Sequence, residues 1–200
     1  MNLKLYYTPR TRAVRVRWLL EELGLSYELV NIELFDGEGQ TETYKKIHPL
    51  GCVPALDVDG EIVYESGAIC DWLTDYFKDS NMAPPINSEL RMKYKQWFYF
   101  VVATMEPHAW NIVLHKSIRP EKERITDIVS LSEKRYSQCL SVIEKVLTGQ
   151  EYLIGEEFTT ADIMLSSLLN WLPNHVRPFK NTYAYMNKIY QRDAYKLAIS

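Results

Sequence analysis

Hydrophobic and polar positions follow two different periods at the start of the chain. The run Leu3–Tyr7 is short and apolar, as in a buried strand. Apolar residues then recur at Val16, Leu19 and Leu23, which is the spacing of one face of a helix. Gly24 is suited to end that helix, because glycine readily adopts the left-handed conformation of a C-terminal cap. The chain is therefore predicted to open with a strand and a helix.

The next segments continue this alternation. A second strand is predicted over Leu25–Ile32, and a short polar helix is predicted to end before Pro49. Two further strand runs flank Asp59-Gly60, a dipeptide typical of a tight hairpin. A helix then begins near Ser66. The predicted order is strand, helix, strand, helix, strand, strand, helix.

An irregular segment containing Pro84 and Pro85 interrupts this pattern, and no strand is predicted beyond it. Segments of this kind often connect domains. We therefore predict an α/β domain over residues 1–79, a linker over residues 80–87 and an all-helical domain over residues 88–200.

Helical spacing continues through the second domain. Thr159 and Asp162 form the S/T-x-x-D pattern of a capping box, so Asp162 is expected to hold a helix start rather than to take part in chemistry. The predicted helices run over Ser88–His115 with a bend near Pro107, over Glu121–Leu147, from Thr159 onward, and over Asn181–Gln191 as the last.

Composition narrows the class of protein. Hydrophobic residues make up 46% of the chain and charged residues 24%, which is the balance of a soluble globular protein. The three cysteines form no C-x-x-C pair, which suits a reducing compartment and argues against a disulfide framework or a zinc site. No apolar run approaches the ~20 residues of a membrane span. A cytoplasmic protein without a metal site or a membrane partner is expected.

Two pairs of residues near the predicted hairpin could bind a peptide-like ligand. Pro54 allows a cis peptide bond, which would turn the backbone of Val53 outward toward an extended peptide. Ser66 is a candidate N-cap, and the free N–H groups of a helix N-terminus bind carboxylates. Glu65 beside it could take an ammonium group. The pair suits an α-amino acid, with a plain cap and a solvated carboxylate as the alternative.

The loop after the first strand carries two hydroxyl groups. Thr8 or Thr11 would lie at the positive end of a helix that begins near Arg12. A thiolate at such a place gains from the helix dipole and from a hydrogen bond, both of which lower the pKa of a thiol. An alternative role for Thr11 is that of the helix cap alone.

Four arginines near this loop raise the question of an anionic partner. Arg10 and Arg12 lie close to the loop and could meet an anion, whereas Arg15 and Arg17 are expected on a solvated helix face. The formal net charge of the chain is −3, so the arginines are a local feature and nucleic-acid binding is not expected.

Three long segments of the sequence carry a family resemblance. "LYYTPRTRAVRVRWLLEELGLSYELV", "HPLGCVPALDVDGEIVYESGAICDWL" and "LIGEEFTTADIMLSSLLNWL" resemble the cytosolic glutathione S-transferase family, in its serine/threonine-type, bacterial-like form. The likeness covers almost the whole chain in the correct order. It implies a thioredoxin-like α/β N-terminal domain followed by an all-α C-terminal domain.

The resemblance also implies a glutathione site. Val53, before a cis Pro54, would pair with the cysteinyl backbone of glutathione, while Glu65 and Ser66 would hold its γ-glutamyl group. Thr11 falls near the active serine of the family, which hydrogen-bonds the glutathione sulfur. Glutathione is then a co-substrate, and no cofactor is implied.

The proline loop can be aligned in more than one way. Thr8 or Arg10 could occupy the position next to the sulfur instead of Thr11. Tyr7 is a minor candidate, close to the active residue of tyrosine-type relatives, and is expected to be core. The loop has no cysteine, so the mixed-disulfide chemistry of cysteine-type relatives is not expected.

One binding position departs from the family pattern. Cys52 stands where many relatives have a lysine that can meet the glycyl carboxylate of glutathione. Arg10, Arg12 or Gln40 are the candidates for that contact in this chain.

The second substrate is expected on the helical domain. The stretch from Gln96 to Ile112 is rich in aromatic residues and methionine, which suits a pocket for an apolar electrophile. The favoured residues are Met105, His108, Trp110 and Asn111. A plain apolar core is the alternative for these side chains.

The sequence as a whole favours a detoxifying glutathione transferase that attacks a small hydrophobic electrophile with the glutathione thiolate. A non-catalytic binding or regulatory module is one alternative, and a glutathione-dependent peroxidase or isomerase is another. Relatives usually form two-fold dimers, so the resemblance also implies a homodimer.

Overall fold

The computed structural model describes every residue from 1 to 200 and divides the chain into two compact units. Unit 1 contains residues 1–80 together with residues 191–200, and unit 2 contains residues 81–190. Unit 1 holds a four-stranded sheet with helices, and unit 2 is helical apart from two isolated β-bridges. The predicted class, a thioredoxin-like α/β domain and an all-α domain, is confirmed.

The sheet of unit 1 is mixed, with strand order β2-β1-β3-β4. β1 pairs in parallel with β2, while β3 is antiparallel to both β1 and β4. The strands run over Leu3–Tyr7 (β1), Glu28–Asn31 (β2), Ala55–Val58 (β3) and Glu61–Tyr64 (β4). β1 buries alternate residues, namely Leu3, Leu5 and Tyr7, as a central strand of period two should.

Four helices belong to unit 1. They are α1 (Ala13–Glu22), α2 (Glu42–Lys45), α3 (Ser66–Tyr76) and α10 (Asp193–Ile199). The helix predicted over residues 181–191 is present as α9 (Lys180–Ile189), but the prediction that it is the last helix is wrong, because α10 follows it. α10 packs on α1 through the rings of Trp18 and Tyr195, which are 4.7 Å apart, and through an ion pair between Arg192 and Glu22.

Unit 2 contains the remaining helices. They are α4 (Glu89–Tyr99), α5 (Glu106–Val113), α6 (Thr126–Val146), α7 (Thr160–Leu169), α8 (Pro173–Val176) and α9 (Lys180–Ile189). The predicted long helix over 88–115 is present but is interrupted by π-helical turns at Phe100–Met105 and Leu114–Ile118. Pro107 lies just after the first of these turns. The interruption occurs there because the proline ring removes one helical hydrogen bond and crowds the preceding turn.

The start of α7 is held by a buried carboxylate. Asp162 is fully buried and accepts hydrogen bonds from the backbone N–H of Leu153 at 2.9 Å and of Thr159 at 2.9 Å. It also accepts from the hydroxyls of Thr159 at 3.0 Å and Tyr185 at 2.7 Å. Burial raises the pKa of Asp162, and the four donors oppose that rise. The predicted capping box is confirmed, and it also ties α7 to α9 and to the preceding loop.

A second constraint lies in unit 1, where two glycine backbones meet. A Cβ atom placed on Gly51, at φ +65°, would lie 2.1 Å from the carbonyl oxygen of Gly39. A Cβ on Gly39 would lie 2.3 Å from the carbonyl oxygen of Gly51. Neither position can carry a side chain without moving the backbone. This contact fixes the loop that leads into residues 52–54.

Replacing Asp162 by Asn should destabilise unit 2. The amide cannot accept all four hydrogen bonds, so a buried donor loses its partner, at a cost of about 3 kcal/mol in the free energy of unfolding. Denaturant unfolding measures this change. Asp193→Asn is the matched control, because that carboxylate is 94% exposed and its surface pair with Lys196 is worth less than about 1 kcal/mol. Equal losses in the two variants would contradict a structural role for Asp162.

Gly51→Ala should be more damaging than the same change at a glycine in open space. Gly37 has φ +85° with no atom within 4 Å of the added Cβ, so Gly37→Ala pays only for backbone conformation, about 1 kcal/mol. Gly51→Ala adds a collision with a backbone oxygen and should cost at least about 2 kcal/mol. Thermal unfolding of both variants makes the comparison. Similar losses would show that the contact between Gly39 and Gly51 yields easily.

Candidate functional site

Strand register brings three separate segments to one edge of the sheet. Ala55, the first residue of β3, pairs with Tyr6 near the end of β1 and with Tyr64 at the end of β4. The loop after β1, the segment before β3 and the junction between β4 and α3 therefore lie side by side. These are the segments that carry the predicted site residues 8–12, 52–54 and 65–66.

The hydroxyls of the loop after β1 are both engaged. Thr8 is buried, and its Oγ1 donates a hydrogen bond of 2.6 Å to the carbonyl oxygen of Ile32. Thr11 is half-buried, and its Oγ1 donates to the carbonyl oxygen of Thr8 at 2.7 Å and accepts from the N–H of Ala13 at 3.2 Å. Thr11 thus accepts the N–H of the first residue of α1, although Arg12 is the N-cap, while Thr8 ties the loop to the end of β2.

Arg10 has an unusual backbone conformation. Its φ is +61°, a left-handed value that a residue with a Cβ seldom adopts. The side chain of Arg10 is exposed, and Arg12 is half-buried at the residue before α1. Left-handed conformations at residues other than glycine cost free energy and cluster at functional sites.

Arg15 and Arg17 correct an expectation, because neither is on a solvated helix face. Arg15 is only 1% exposed, and its Nη1 lies 3.4 Å from the Oγ of Ser66. Arg17 is half-buried, donates to the hydroxyl of Tyr27 at 3.2 Å and lies over the ring of Tyr7. The physical reason is that α1 packs against β1, α3 and α10, which leaves it no wide solvated face.

The segment before β3 has its backbone fixed from two sides. The Val53–Pro54 peptide bond is cis, and Val53 precedes the hydrogen-bonded ladder, which begins at Ala55. Cys52 is exposed, and its carbonyl oxygen accepts a hydrogen bond of 2.8 Å from the hydroxyl of Tyr44. The backbone just before the cis bond is thereby held by a buried aromatic side chain.

Gln40 reaches the same loop. Its Nε2 would lie 2.8 Å from a Cβ on Gly51, so its side chain covers the loop beside Cys52. Gln40 is exposed, as is Arg10. Of the three candidates for the contact with the glycyl carboxylate, Gln40 is the one placed next to Cys52 by a close approach.

At the third segment, Glu65 rather than Ser66 precedes the helix. Glu65 has φ +74° and an exposed side chain, while Ser66 is the first residue of α3 and is buried. The expectation of Ser66 as the N-cap is therefore shifted by one residue. The hydroxyl of Ser66 remains at the N-terminus of α3, where free N–H groups favour a carboxylate.

His48 is a site neighbour that the sequence did not indicate. Its ring is buried 5.0 Å from the ring of Tyr64, and its Nδ1 accepts the N–H of Leu50 at 3.3 Å. Burial lowers the pKa of the His48 imidazole, and the charge of Glu65 opposes that shift. Tyr44, Arg15 and the pair Gly39–Gly51 were missed as well. The one signal for them was a bulky Tyr44 within a polar helix.

Tyr7 lies in the core, as expected. It is buried at the end of β1, and its hydroxyl donates a hydrogen bond of 2.9 Å to the carbonyl oxygen of Ala198 in α10. The proton that a tyrosine-type enzyme would donate to sulfur is therefore used inside unit 1.

The four residues proposed for the electrophile lie in and beside α5. Met105 is fully buried, whereas His108 and Asn111 are half-buried. The ring of Trp110 packs edge-on against Trp171 at 6.0 Å. Burial lowers the pKa of His108, and the charge of Arg135 lowers it further. A cavity of about 380 Å³ in unit 2 is lined by other residues, from α6 and the segment 174–179.

Two other classes of site find no support. No three histidine, cysteine or acidic side chains come together as metal ligands. His115, seven residues after His108, uses its Nδ1 to accept the backbone N–H of Ile125 at 3.1 Å. None of the helices is both long enough and apolar enough to span a membrane.

Comparisons with known proteins agree with this geometry. Residues 1–75 match the family "Glutathione S-transferase, N-terminal domain", and residues 103–193 match "Glutathione S-transferase, C-terminal domain". Glutathione S-transferase GstA of Escherichia coli O157:H7 is 27% identical over 203 residues, which cover 99% of this chain and 98% of the relative. Glutathione S-transferase APIC of Nicotiana tabacum is 30% identical over 168 residues, which cover 82% of this chain and 78% of the relative.

A solved structure extends the comparison to the fold. The glutathione transferase URE2P8 from Phanerochaete chrysosporium, crystallised with oxidized glutathione, superposes with a TM-score of 0.88 at 25% identity. The match covers 98% of this chain and 92% of that chain. With both family domains matched in order, this chain belongs to the glutathione S-transferase family and is an enzyme of the glutathione transferase class.

Proposed function

We propose that this enzyme binds glutathione at the edge of the sheet in unit 1 and transfers its thiolate to small hydrophobic electrophiles. The observation that carries the proposal is the strand register. It places the loop of residues 8–12, the cis Val53–Pro54 bond and the pair Glu65-Ser66 next to one another. Together they offer a hydroxyl, a peptide edge and an amino-acid head-group site.

Glutathione is an extended tripeptide, and each part has a candidate partner. The backbone of Val53 pairs with the cysteinyl residue by strand addition. The carboxylate of the γ-glutamyl group meets Ser66 at the start of α3, and its ammonium group meets Glu65. The glycyl carboxylate meets Gln40, whose neutral amide lies over the loop beside Cys52, with the cationic Arg10 or Arg12 as the alternatives.

We assign to the hydroxyl of Thr11 the hydrogen bond that stabilises the glutathione thiolate. The enzyme would then be of the serine/threonine type. Thr11 is half-buried at the start of α1, whereas the hydroxyl of Thr8 is buried and bonded to Ile32. Within the chain, Thr11 donates its proton to the carbonyl oxygen of Thr8. We expect this proton to turn to the sulfur when glutathione binds. Arg10, exposed in the same loop, is the second candidate for stabilising the thiolate.

Catalysis then rests on the population and the position of the thiolate. The sulfur forms a bond to the electrophilic carbon, the leaving group departs with the electrons of the bond that breaks, and no covalent bond to the enzyme forms. The electrophile is assigned to the α5 region, with Met105 and Trp110 as apolar contacts and His108 and Asn111 as polar ones.

We further propose that the enzyme acts as a cytoplasmic homodimer. All three cysteines are free thiols, which suits a reducing compartment.

Two other functions would use the same fold. A non-catalytic binding module would be retained on immobilised glutathione without turning over an aromatic electrophile. A peroxidase or isomerase would act on hydroperoxides or isomerisable substrates in preference to aromatic electrophiles. Assays with a panel of electrophiles and hydroperoxides separate these functions from the proposed one.

Thr11→Ala should raise the pKa of the thiol of bound glutathione, since the thiolate loses a hydrogen bond. A higher thiol pKa leaves less thiolate at low pH, so kcat/KM should fall about tenfold at pH 6.5 and by less as the pH rises. The pH–rate profile measures this. Thr11→Ser keeps the hydroxyl and should retain the wild-type profile. An unchanged profile in Thr11→Ala would move the role to Arg10.

Glu65→Gln should weaken glutathione binding, because the ammonium of the γ-glutamyl group loses its carboxylate partner. A loss of about tenfold in affinity is expected by calorimetry, with little change in kcat. Glu61→Gln is the control, since Glu61 is an exposed acidic residue at the opposite end of β4. Wild-type affinity in Glu65→Gln would remove the ammonium contact from the proposal.

A further inference from the structure

A buried arginine lies directly beneath the residue assigned to the γ-glutamyl carboxylate. Arg15 belongs to α1 and is among the largest fully buried side chains of the protein. Its Nη1 is 3.4 Å from the Oγ of Ser66, 51 residues further along the chain. The packing of α1 on α3 thus delivers a guanidinium to the first residue of α3.

Cys70 is a second group on α3 that the charge of Arg15 influences. It is one turn after Ser66 on α3 and is fully buried. Burial raises the pKa of the Cys70 thiol to about 12, and the charge of Arg15 opposes that rise. The guanidinium therefore lies near the face of α3 that carries Ser66 and Cys70, four residues apart.

The chemistry of the contact sets the direction of the Ser66 hydroxyl. A guanidinium has donors and no acceptor, so the Oγ of Ser66 must be the acceptor. No other side-chain hydrogen bond involves this oxygen, so its own proton has no acceptor within the chain. That proton is left for an acceptor supplied from outside, and a carboxylate is the strongest acceptor available to a hydroxyl.

The electrostatics of this position also favour an anion. The N-terminus of α3 already carries the positive end of the helix dipole, which attracts negative charge. The buried cation of Arg15 lies at the same end and adds to this positive potential. A cation near a helix N-terminus destabilises the helix, whereas a negative charge there stabilises it. The preceding residue, Glu65, has the left-handed φ of +74°. The arrangement makes physical sense if an anion completes it.

We propose that Arg15 is a positioning residue for glutathione, which acts through Ser66. Arg15 itself does not contact the ligand. It holds the Ser66 hydroxyl with its proton outward and strengthens it as a donor to the α-carboxylate of the γ-glutamyl group. This inference rests on the proposed function, because it assumes that Ser66 meets that carboxylate.

A double-mutant cycle with calorimetry tests the inference. Arg15→Gln and Ser66→Ala should each weaken glutathione binding about tenfold. The double variant should lose clearly less than the hundredfold product of the two single losses, because the hydrogen bond between Arg15 and Ser66 is already absent in Ser66→Ala and only the charge of Arg15 remains to be lost. In each variant kcat at saturating glutathione should stay within about twofold of wild type. Losses that multiply to about a hundredfold would overturn the inference.

A change in the ligand separates positioning from general damage. The probe is glutathione with the α-carboxylate of its γ-glutamyl group converted to an amide. It should bind wild type and Arg15→Gln with the same affinity, since it lacks the charge that Ser66 recognises. If Arg15→Gln weakens the amide as much as it weakens glutathione, Arg15 is merely structural.

Two further variants complete the design. Arg17→Gln, on the same helix, removes an arginine bonded to Tyr27 and should leave glutathione affinity unchanged. Arg15→Lys keeps a buried cation, and if Arg15→Gln fails to fold, the same cycle on Arg15→Lys decides the matter. Failure of the wild-type enzyme to bind glutathione at all would instead refute the proposed function. Binding with additive losses would refute only the role of Arg15.

Discussion

The pairing of Ala55 with Tyr6 on one side and Tyr64 on the other is the constraint on which the site depends. A slip of one residue in either ladder would turn every side chain of that strand to the other face of the sheet. The buried alternation of Leu3, Leu5 and Tyr7 opposes such a slip, because it would expose the core of β1. The hydrophobic pattern of the strands thus fixes the positions of three loops that contain almost no hydrophobic residues.

Helix α1 shows how tertiary packing changes the role of charged residues. A helix with arginines at Arg15 and Arg17 reads as amphipathic, with the charges toward water. The packing of α3 and α10 on α1 removes that water, so one arginine reaches Ser66 and the other reaches Tyr27 and the segment around Ser200. Long arginine side chains tolerate this because their stems pack while each guanidinium group reaches at least one acceptor. Arg15 therefore connects α1 to the candidate site, and Arg17 connects α1 to its neighbours in unit 1.

Local chemistry explains which features could be predicted from the sequence. The capping box at Thr159 and Asp162 and the hairpin at Asp59-Gly60 depend on residues close in the chain. The contacts made by His48, Tyr44 and Arg15 join residues whose proximity is decided by the sheet, by the loop before β3 and by the packing of α1 on α3. α10 itself has only seven residues, and α8 has four, so neither shows enough periods to be recognised.

Under the proposed function, the hydroxyl of Thr11 serves both the fold and the reaction. Its oxygen has one proton and two lone pairs, and the N–H of Ala13 takes one lone pair. The proton goes to the carbonyl oxygen of Thr8, a neutral acceptor. A thiolate is a charged acceptor, and hydrogen bonds to charged groups are roughly twice as strong as neutral ones. If Thr11 takes the proposed role, its proton is drawn to the sulfur only when the thiol is ionised. Under the proposed function, this competition makes the hydroxyl favour the thiolate over the thiol, while the oxygen of Thr11 continues to accept the N–H of Ala13.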